Sequence, residues 1–170
     1  MIQYVSAEEA VSLIKSGDRI FSHGSACTPN FLIDELARQS SRLRDVEFVS
    51  ITQQGNVEVA KPQYKDSFYI NSLFTSTPVR SAVNAENGDY VPIFLSEIPV
   101  LFKNGMLPID VALITVAPPD SHGYCTLGTS VDVARSAIDT AKRIIAIVNP
   151  KMPRTHGDGM IHINRIEKMV

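Results

Sequence analysis

Five short runs in this 170-residue chain are almost unbrokenly apolar: "RIFSH", "VEFVSIT", "SFYINSLF", "DVALITVA" and "RIIAIVN". A strand with one face in water alternates apolar and polar residues, so runs that do not alternate imply strands covered on both faces. Between them lie stretches with helical spacing, such as "NFLIDELARQ", where Phe31, Leu32, Glu35 and Leu36 form one stripe. Strands alternating with helices specify an α/β fold: an open, mostly parallel sheet with helices on both faces. The length suits one domain spanning residues 1–170.

Local signals set the expected boundaries. Ser6 and Glu9 form a capping box before "AEEAVSLIKS", and Gly17 closes that helix. Thr28 with Pro29, and Thr77 with Pro78, read as a cap followed by a proline at the first helical position. Gly88 is expected to end the helix after Pro78, while Ser96 and Gly105 bracket "EIPVLFKN". "YVPIF" is a weak strand because Pro92 cannot donate to a ladder, which places it at an edge or outside the main sheet. "VARSAIDTAK" is the last helix, and a short "MIHI" follows the loop "PKMPRTHGDG".

Composition excludes several classes. A net charge of −2, with no long Lys/Arg run, gives no field for a nucleic-acid backbone. No apolar run reaches the roughly 18 residues of a membrane span. Cys27 and Cys125 lack CxxC spacing and no secretory leader precedes them, so reduced thiols and a cytoplasmic address are expected.

Ligands of open α/β sheets sit beyond the carboxyl ends of the strands, which selects the exits "HGSACTP", "TQQGN", "TSTP", "APPDSHG" and "NPKMPRTHG". "GYCTLGTS" has the glycine spacing of a phosphate loop, but Thr129 occupies the lysine position. The first exit has a single glycine where a dinucleotide fingerprint needs three. His23, His122, His156 and His162 lack zinc-motif spacing, so no metal is expected. Cys125 near His122 reads as a packing thiol, and Asp120 as either a partner of His122 or the cap of its own turn. Arg80 and Arg154 are placed to hold a carboxylate or to pair structurally.

The stretch from Phe74 to Asp132, with "PPDSHGY" followed by "SVD", and then "MPRTHGD", resembles the amino-terminal half of the acetyl-CoA hydrolase/transferase family, which includes 4-hydroxybutyrate and butyryl- or acetyl-CoA transferases. That resemblance implies a Rossmann-like three-layer domain, with the active site between two such halves and the carboxyl-terminal half lying beyond Val170. It implies a glutamate that attacks an acyl-CoA thioester, forms an acyl anhydride and then a glutamyl-CoA thioester, and delivers CoA to a second carboxylate. In the family that glutamate belongs to the carboxyl-terminal half, so no catalytic nucleophile is assigned within residues 1–170. The resemblance implies no cofactor, because CoA is itself a substrate, and acyl-CoA, small carboxylates, the other half and further copies of the chain are the implied partners.

The candidate substrate-binding residues are Gly24 and Ser25 after the first strand, Gln53, Gln54 and Gly55 after the second, and Pro119, Asp120, His122 and Gly123 after "DVALITVA". Together they are expected to form one wall of a cleft. Three activities fit these residues: CoA transfer, acyl-CoA hydrolysis where water reaches the acyl-enzyme, and carboxylate binding without catalysis.

Overall fold

The computed structural model describes residues 4–85 and 87–170. Among these, the strands are β1 (Arg19–Ser22), β2 (Val46–Ser50), β3 (Phe68–Ser72), β4 (Gly88–Tyr90), β5 (Val111–Val116), β6 (Tyr124–Thr126), β7 (Arg143–Val148), β8 (Met160–His162) and β9 (Lys168–Met169). The helices are α1 (Ala7–Val11), α2 (Asn30–Arg38), α3 (Arg80–Asn84), α4 (Ile98–Lys103) and α5 (Ala134–Thr140). Seven strands make one parallel sheet in the order β4-β3-β2-β1-β5-β7-β9, and β6 pairs with β8 in a separate antiparallel ribbon.

The apolar runs are doubly covered, as their lack of alternation requires. All six residues of β5 are buried. One face of the sheet, carrying Ile20, Phe48, Ile70, Leu113 and Ile145, packs on α1, α2 and α3. The other, carrying Phe21, Val49, Ile114, Ile144 and Ala146, packs on α4, α5 and the ribbon residues Cys125 and Ile161. Each large aliphatic or aromatic side chain so buried contributes about 1.5–3 kcal/mol.

From β1 the chain steps outward through β2, β3 and β4. It then returns to lay β5 on the other side of β1 and continues to β7 and β9. Strand order therefore reverses between β1 and β5, which opens a crevice at their carboxyl ends. The amino ends are tied by charge: Arg19 Nε pairs with Glu47, and Asp110 accepts from the Arg19 N–H at 2.8 Å and from Lys142 Nζ at 2.6 Å.

Several boundaries differ from the sequence reading. Helix α1 ends at Val11 and reaches Gly17 only through turns, although Ser6 does cap it by accepting from the Glu9 N–H. Pro29, not Thr28, is the residue before α2; the Thr28 hydroxyl instead donates to the Ser25 carbonyl and accepts from the Gln54 N–H. Thr77–Val79 forms a tight 3-10 turn that runs into α3. Glu97, not Ser96, directly precedes α4, with no side-chain cap bond. Gly88 opens β4 instead of closing a helix; a Cβ there would lie 2.6 Å from the Ile70 carbonyl, so strand pairing needs its missing side chain. Of "YVPIF", only Tyr90 is in a strand, and β4 is indeed the sheet edge. Among the described residues no helix is long and apolar enough to cross a membrane.

Candidate functional site

At the reversal point the strand exits are braced by a buried polar cluster. Gln53, 2% exposed, accepts from Ser22 Oγ at 3.0 Å and donates Nε2 to the His23 carbonyl at 3.1 Å. Its own N–H donates to Ser76 Oγ at 2.9 Å, so one residue ties the exits of β1, β2 and β3. His23 is fully buried. The Thr115 N–H donates to its Nδ1 at 3.3 Å, which places the ring proton on Nε2, where it donates to the Ser130 carbonyl. Burial pushes the His23 pKa below the ordinary histidine value, against opposing pulls from the Ser130 carbonyl and the Asp132 charge. The neutral ring is thus a clip between β1, β5 and the loop ahead of α5.

Gly24 and Ser25 follow directly. A Cβ on Gly24 would lie 3.0 Å from both Ile51 Cγ1 and the Thr52 carbonyl, so glycine lets β1's exit press against β2's. Ser25 has φ of 53°, a left-handed conformation unfavourable for a residue with a Cβ, and its N–H donates to Thr52 O at 2.6 Å. Gln54 is exposed and donates its N–H to Thr28 Oγ1 at 3.1 Å. Gly55, with φ of 78°, abuts Asn30, whose buried Oδ1 has no hydrogen-bond partner. The hydroxyls of Ser50, Ser72 and Thr115, near the carboxyl ends of β2, β3 and β5, are also buried without partners. Each such group costs about 1–3 kcal/mol; these three stand near the carboxyl end of the sheet, while Asp34 Oδ1, Asn71 Oδ1 and Asn87 Nδ2 are unpartnered elsewhere.

The second group stands on the excursion from β5 to β6. Asp120 Oδ1 accepts the N–H groups of His122 and Tyr124, both at 2.9 Å, and Oδ2 pairs with Arg154 at 2.6 Å. The Tyr124 N–H foremost, with the His122 N–H and Arg154, holds the Asp120 carboxyl below its usual range. Of the two sequence readings of Asp120, the turn-forming one describes this geometry. The His122 ring is exposed while its carbonyl accepts from His162 Nε2 at 3.1 Å; Gly123, at φ of 82°, leaves room for that His162 ring. Pro119 is half-buried ahead of the turn.

The structure therefore brings Gly24, Ser25, Gln53, Gln54 and Gly55 together, and Asp120, His122 and Gly123 separately. No hydrogen bond or ion pair among the described residues joins the two groups directly. The link is the segment after β6: Cys27 Sγ donates to the Leu127 carbonyl at 3.5 Å, and Met152 packs with Cys27 and Ala117. Gly123 to Ser130 forms β6 and a packed turn, not an anion cradle, and a Cβ on Gly128 would collide with Met152. Burial pushes the Cys125 thiol up to about 11, which leaves it an inert packing residue. Arg154 is the ion-pair partner of Asp120.

Sequence reasoning missed His23, Thr28 and Ser130. It also did not separate Gln53 from Gln54, although extending the alternation of Val49 and Ile51, both in the same core face, would have turned Gln53 inward and Gln54 outward.

Residues 2–170 match the family model described as "Acetyl-CoA hydrolase/transferase N-terminal domain". Over 166 residues the chain is 42% identical to a succinyl-CoA:acetate/propanoyl-CoA:succinate CoA transferase of Fasciola hepatica, covering 96% of this chain and 34% of that protein. It is 40% identical to a 4-hydroxybutyrate coenzyme A transferase of Clostridium kluyveri, covering 98% of this chain and 39% of that protein. Among solved structures, RipA from Yersinia pestis superposes with a TM-score of 0.89 at 26% identity over 98% of this chain and 41% of its own. The chain thus spans between a third and two-fifths of the length of these curated relatives.

Proposed function

The chain belongs to the acetyl-CoA hydrolase/transferase family, and from that premise we propose that it is the amino-terminal domain of a CoA-transferase, moving CoA from an acyl-CoA such as butyryl-, acetyl- or 4-hydroxybutyryl-CoA to a small carboxylate such as acetate. The observation that supports this reading is the braced, polar set of strand exits at the reversal point, where Gln53 ties β1, β2 and β3 together. Glu97 lies outside these exits, ahead of α4, and is exposed.

On this reading Gly24, Ser25, Gln54 and Gly55 face the reacting acyl group or the acceptor carboxylate, and Gln53 holds them in place from behind. Pro119, Asp120, His122 and Gly123 form a second stretch of wall further along the same cleft. The attacking glutamate comes from the carboxyl-terminal half, and closing the two halves shuts water out, which favours transfer over hydrolysis.

The test is transfer of CoA from butyryl-CoA to acetate by the 170-residue chain alone and with the carboxyl-terminal half of a relative supplied. Activity only with both halves is the expected result. Activity from the chain alone would overturn the division, and free CoA released without acetate consumption would make the pair a hydrolase.

A further inference from the structure

We propose that the loop from Gly128 to Asp132 supplies a third stretch of the cleft wall, with the Thr129 hydroxyl facing the reacting carboxylate or thioester oxygen, and that buried His23 is the positioning residue that holds it there. This rests on the reading of the chain as a CoA-transferase domain, and it adds to that reading a substrate-facing residue and the means of placing it.

The loop is anchored on both sides of Thr129. The Gly128 carbonyl accepts from Thr155 Oγ1 at 2.9 Å, and the Ser130 carbonyl accepts from His23 Nε2. Ser130 is buried while Thr129 is exposed, so two inward-held carbonyls fix the backbone to either side of an outward residue. Thr129 Oγ1 lies 3.7 Å from the Sγ of Cys27, in the 3-10 turn Ser25–Cys27 that follows Gly24. A thiol is a weak hydrogen-bond partner, and the Cys27 thiol already donates to the Leu127 carbonyl, so the Thr129 hydroxyl keeps its donor for a ligand. Thr129 therefore stands beside Ser25, over the reversal point.

His23 can place the loop because its two nitrogens play opposite parts. Nδ1 accepts from the Thr115 N–H on β5 at 3.3 Å while Nε2 donates to Ser130, so one neutral ring spans from sheet to loop, and its full burial keeps water from competing for either bond. Backbone conformation points to the same clip. Three non-glycine residues among those described have positive φ: Ser25 at 53°, Asp45 at 56° and Asp132 at 23°. Ser25 follows His23 by two residues, and Asp132 follows Ser130 by two. Disfavoured backbone persists where its surroundings over-determine it, and the His23–Ser130 bond lies between these two residues.

The test compares His23→Asn, His23→Gln and Thr129→Val in the two-half transfer assay and in amide hydrogen exchange of the 170-residue chain, with thermal melts to verify folding. An Asn amide oxygen falls near the place of Nδ1 and a Gln amide nitrogen near that of Nε2, so Asn keeps the bond to β5 and Gln keeps the bond to the loop. His23→Asn should speed exchange about tenfold or more at Ala134 and Arg135, whose N–H groups are held by Asp132 Oδ1 and the Val131 carbonyl. It should also lower kcat about ten- to hundredfold with KM for acyl-CoA little changed, and His23→Gln should restore both. Thr129→Val should lower kcat about tenfold or more and leave exchange as in the parent. Equal kcat losses in the Asn and Gln variants, or parent-like kcat in Thr129→Val, overturn the proposal. Parent-like transfer in all three variants removes it and keeps the reading beneath it. A parent pair that transfers no CoA overturns that reading, and exchange that ignores His23→Asn overturns the clip.

Discussion

The two ends of the sheet are built on opposite principles. At the amino end, formal charges meet their counterparts: Arg19 with Glu47 and Asp110 with Lys142. At the carboxyl end, hydroxyls of Ser50, Ser72 and Thr115 are buried without partners, Ser25 is left-handed, and a histidine is held neutral inside the protein. The first arrangement stabilises the fold, while the second spends stability to hold polar groups in fixed places. On the proposed reading the carboxyl end is the working end of the domain, and the contrast supports that reading without any resemblance.

The contrast can be broken most forcefully at Gln53. Gln53→Leu strands Ser22 Oγ and the His23 carbonyl, and should lower unfolding stability by about 2–4 kcal/mol in urea titration. The neighbouring Gln54→Ala should stay within about 0.5 kcal/mol. Equal effects from the two would refute the bracing role.

A smaller effect is expected at the amino end. Burial raises the Asp110 pKa, but the Arg19 N–H and Lys142 outweigh it and leave the carboxyl below its ordinary value. The folded protein therefore binds that proton less readily than the unfolded chain. The resulting stability is complete above the unfolded carboxylate value of about 4 and is lost as pH falls through the lower folded value. Asp110→Asn should cost about 1–2 kcal/mol at neutral pH, with the difference from the parent shrinking in acid; a pH-independent gap would rule out this charge account.

The smallest change should have the opposite sign. Ser25→Gly relieves the left-handed conformation and should stabilise the domain by about 1 kcal/mol, while lowering CoA transfer in the two-half assay. A loss of stability would show that Ser25 is not strained.

The sheet was legible because doubly buried parallel strands write themselves as continuous apolar runs, β5 most plainly. The ribbon of β6 and β8 was not read as a ribbon, since three-residue segments carry no period and pair only after the chain has folded back. Thr28 failed as a cap for a related reason: its hydroxyl serves Gln54 across the fold, a contact that local sequence does not contain. The site exits were visible in their glycines and prolines. Their grouping was not, because the gap between Gly24 and Asp120 is set by where the ribbon lies, and His23 reads in sequence like any other loop histidine.

The pairing of Tyr4, Val5 and Glu9 with β9 carries a mechanical consequence. Tyr4 bridges to Met169, the Val5 N–H donates to the Met169 carbonyl at 2.9 Å, and Lys168 reaches Glu9 at 2.7 Å, all at the β9 edge of the sheet. The stretch from Tyr4 to Glu9 therefore holds the sheet rim opposite β4, off the β1–β5 crevice. Opening of that rim would loosen β9 before it reached the crevice loops.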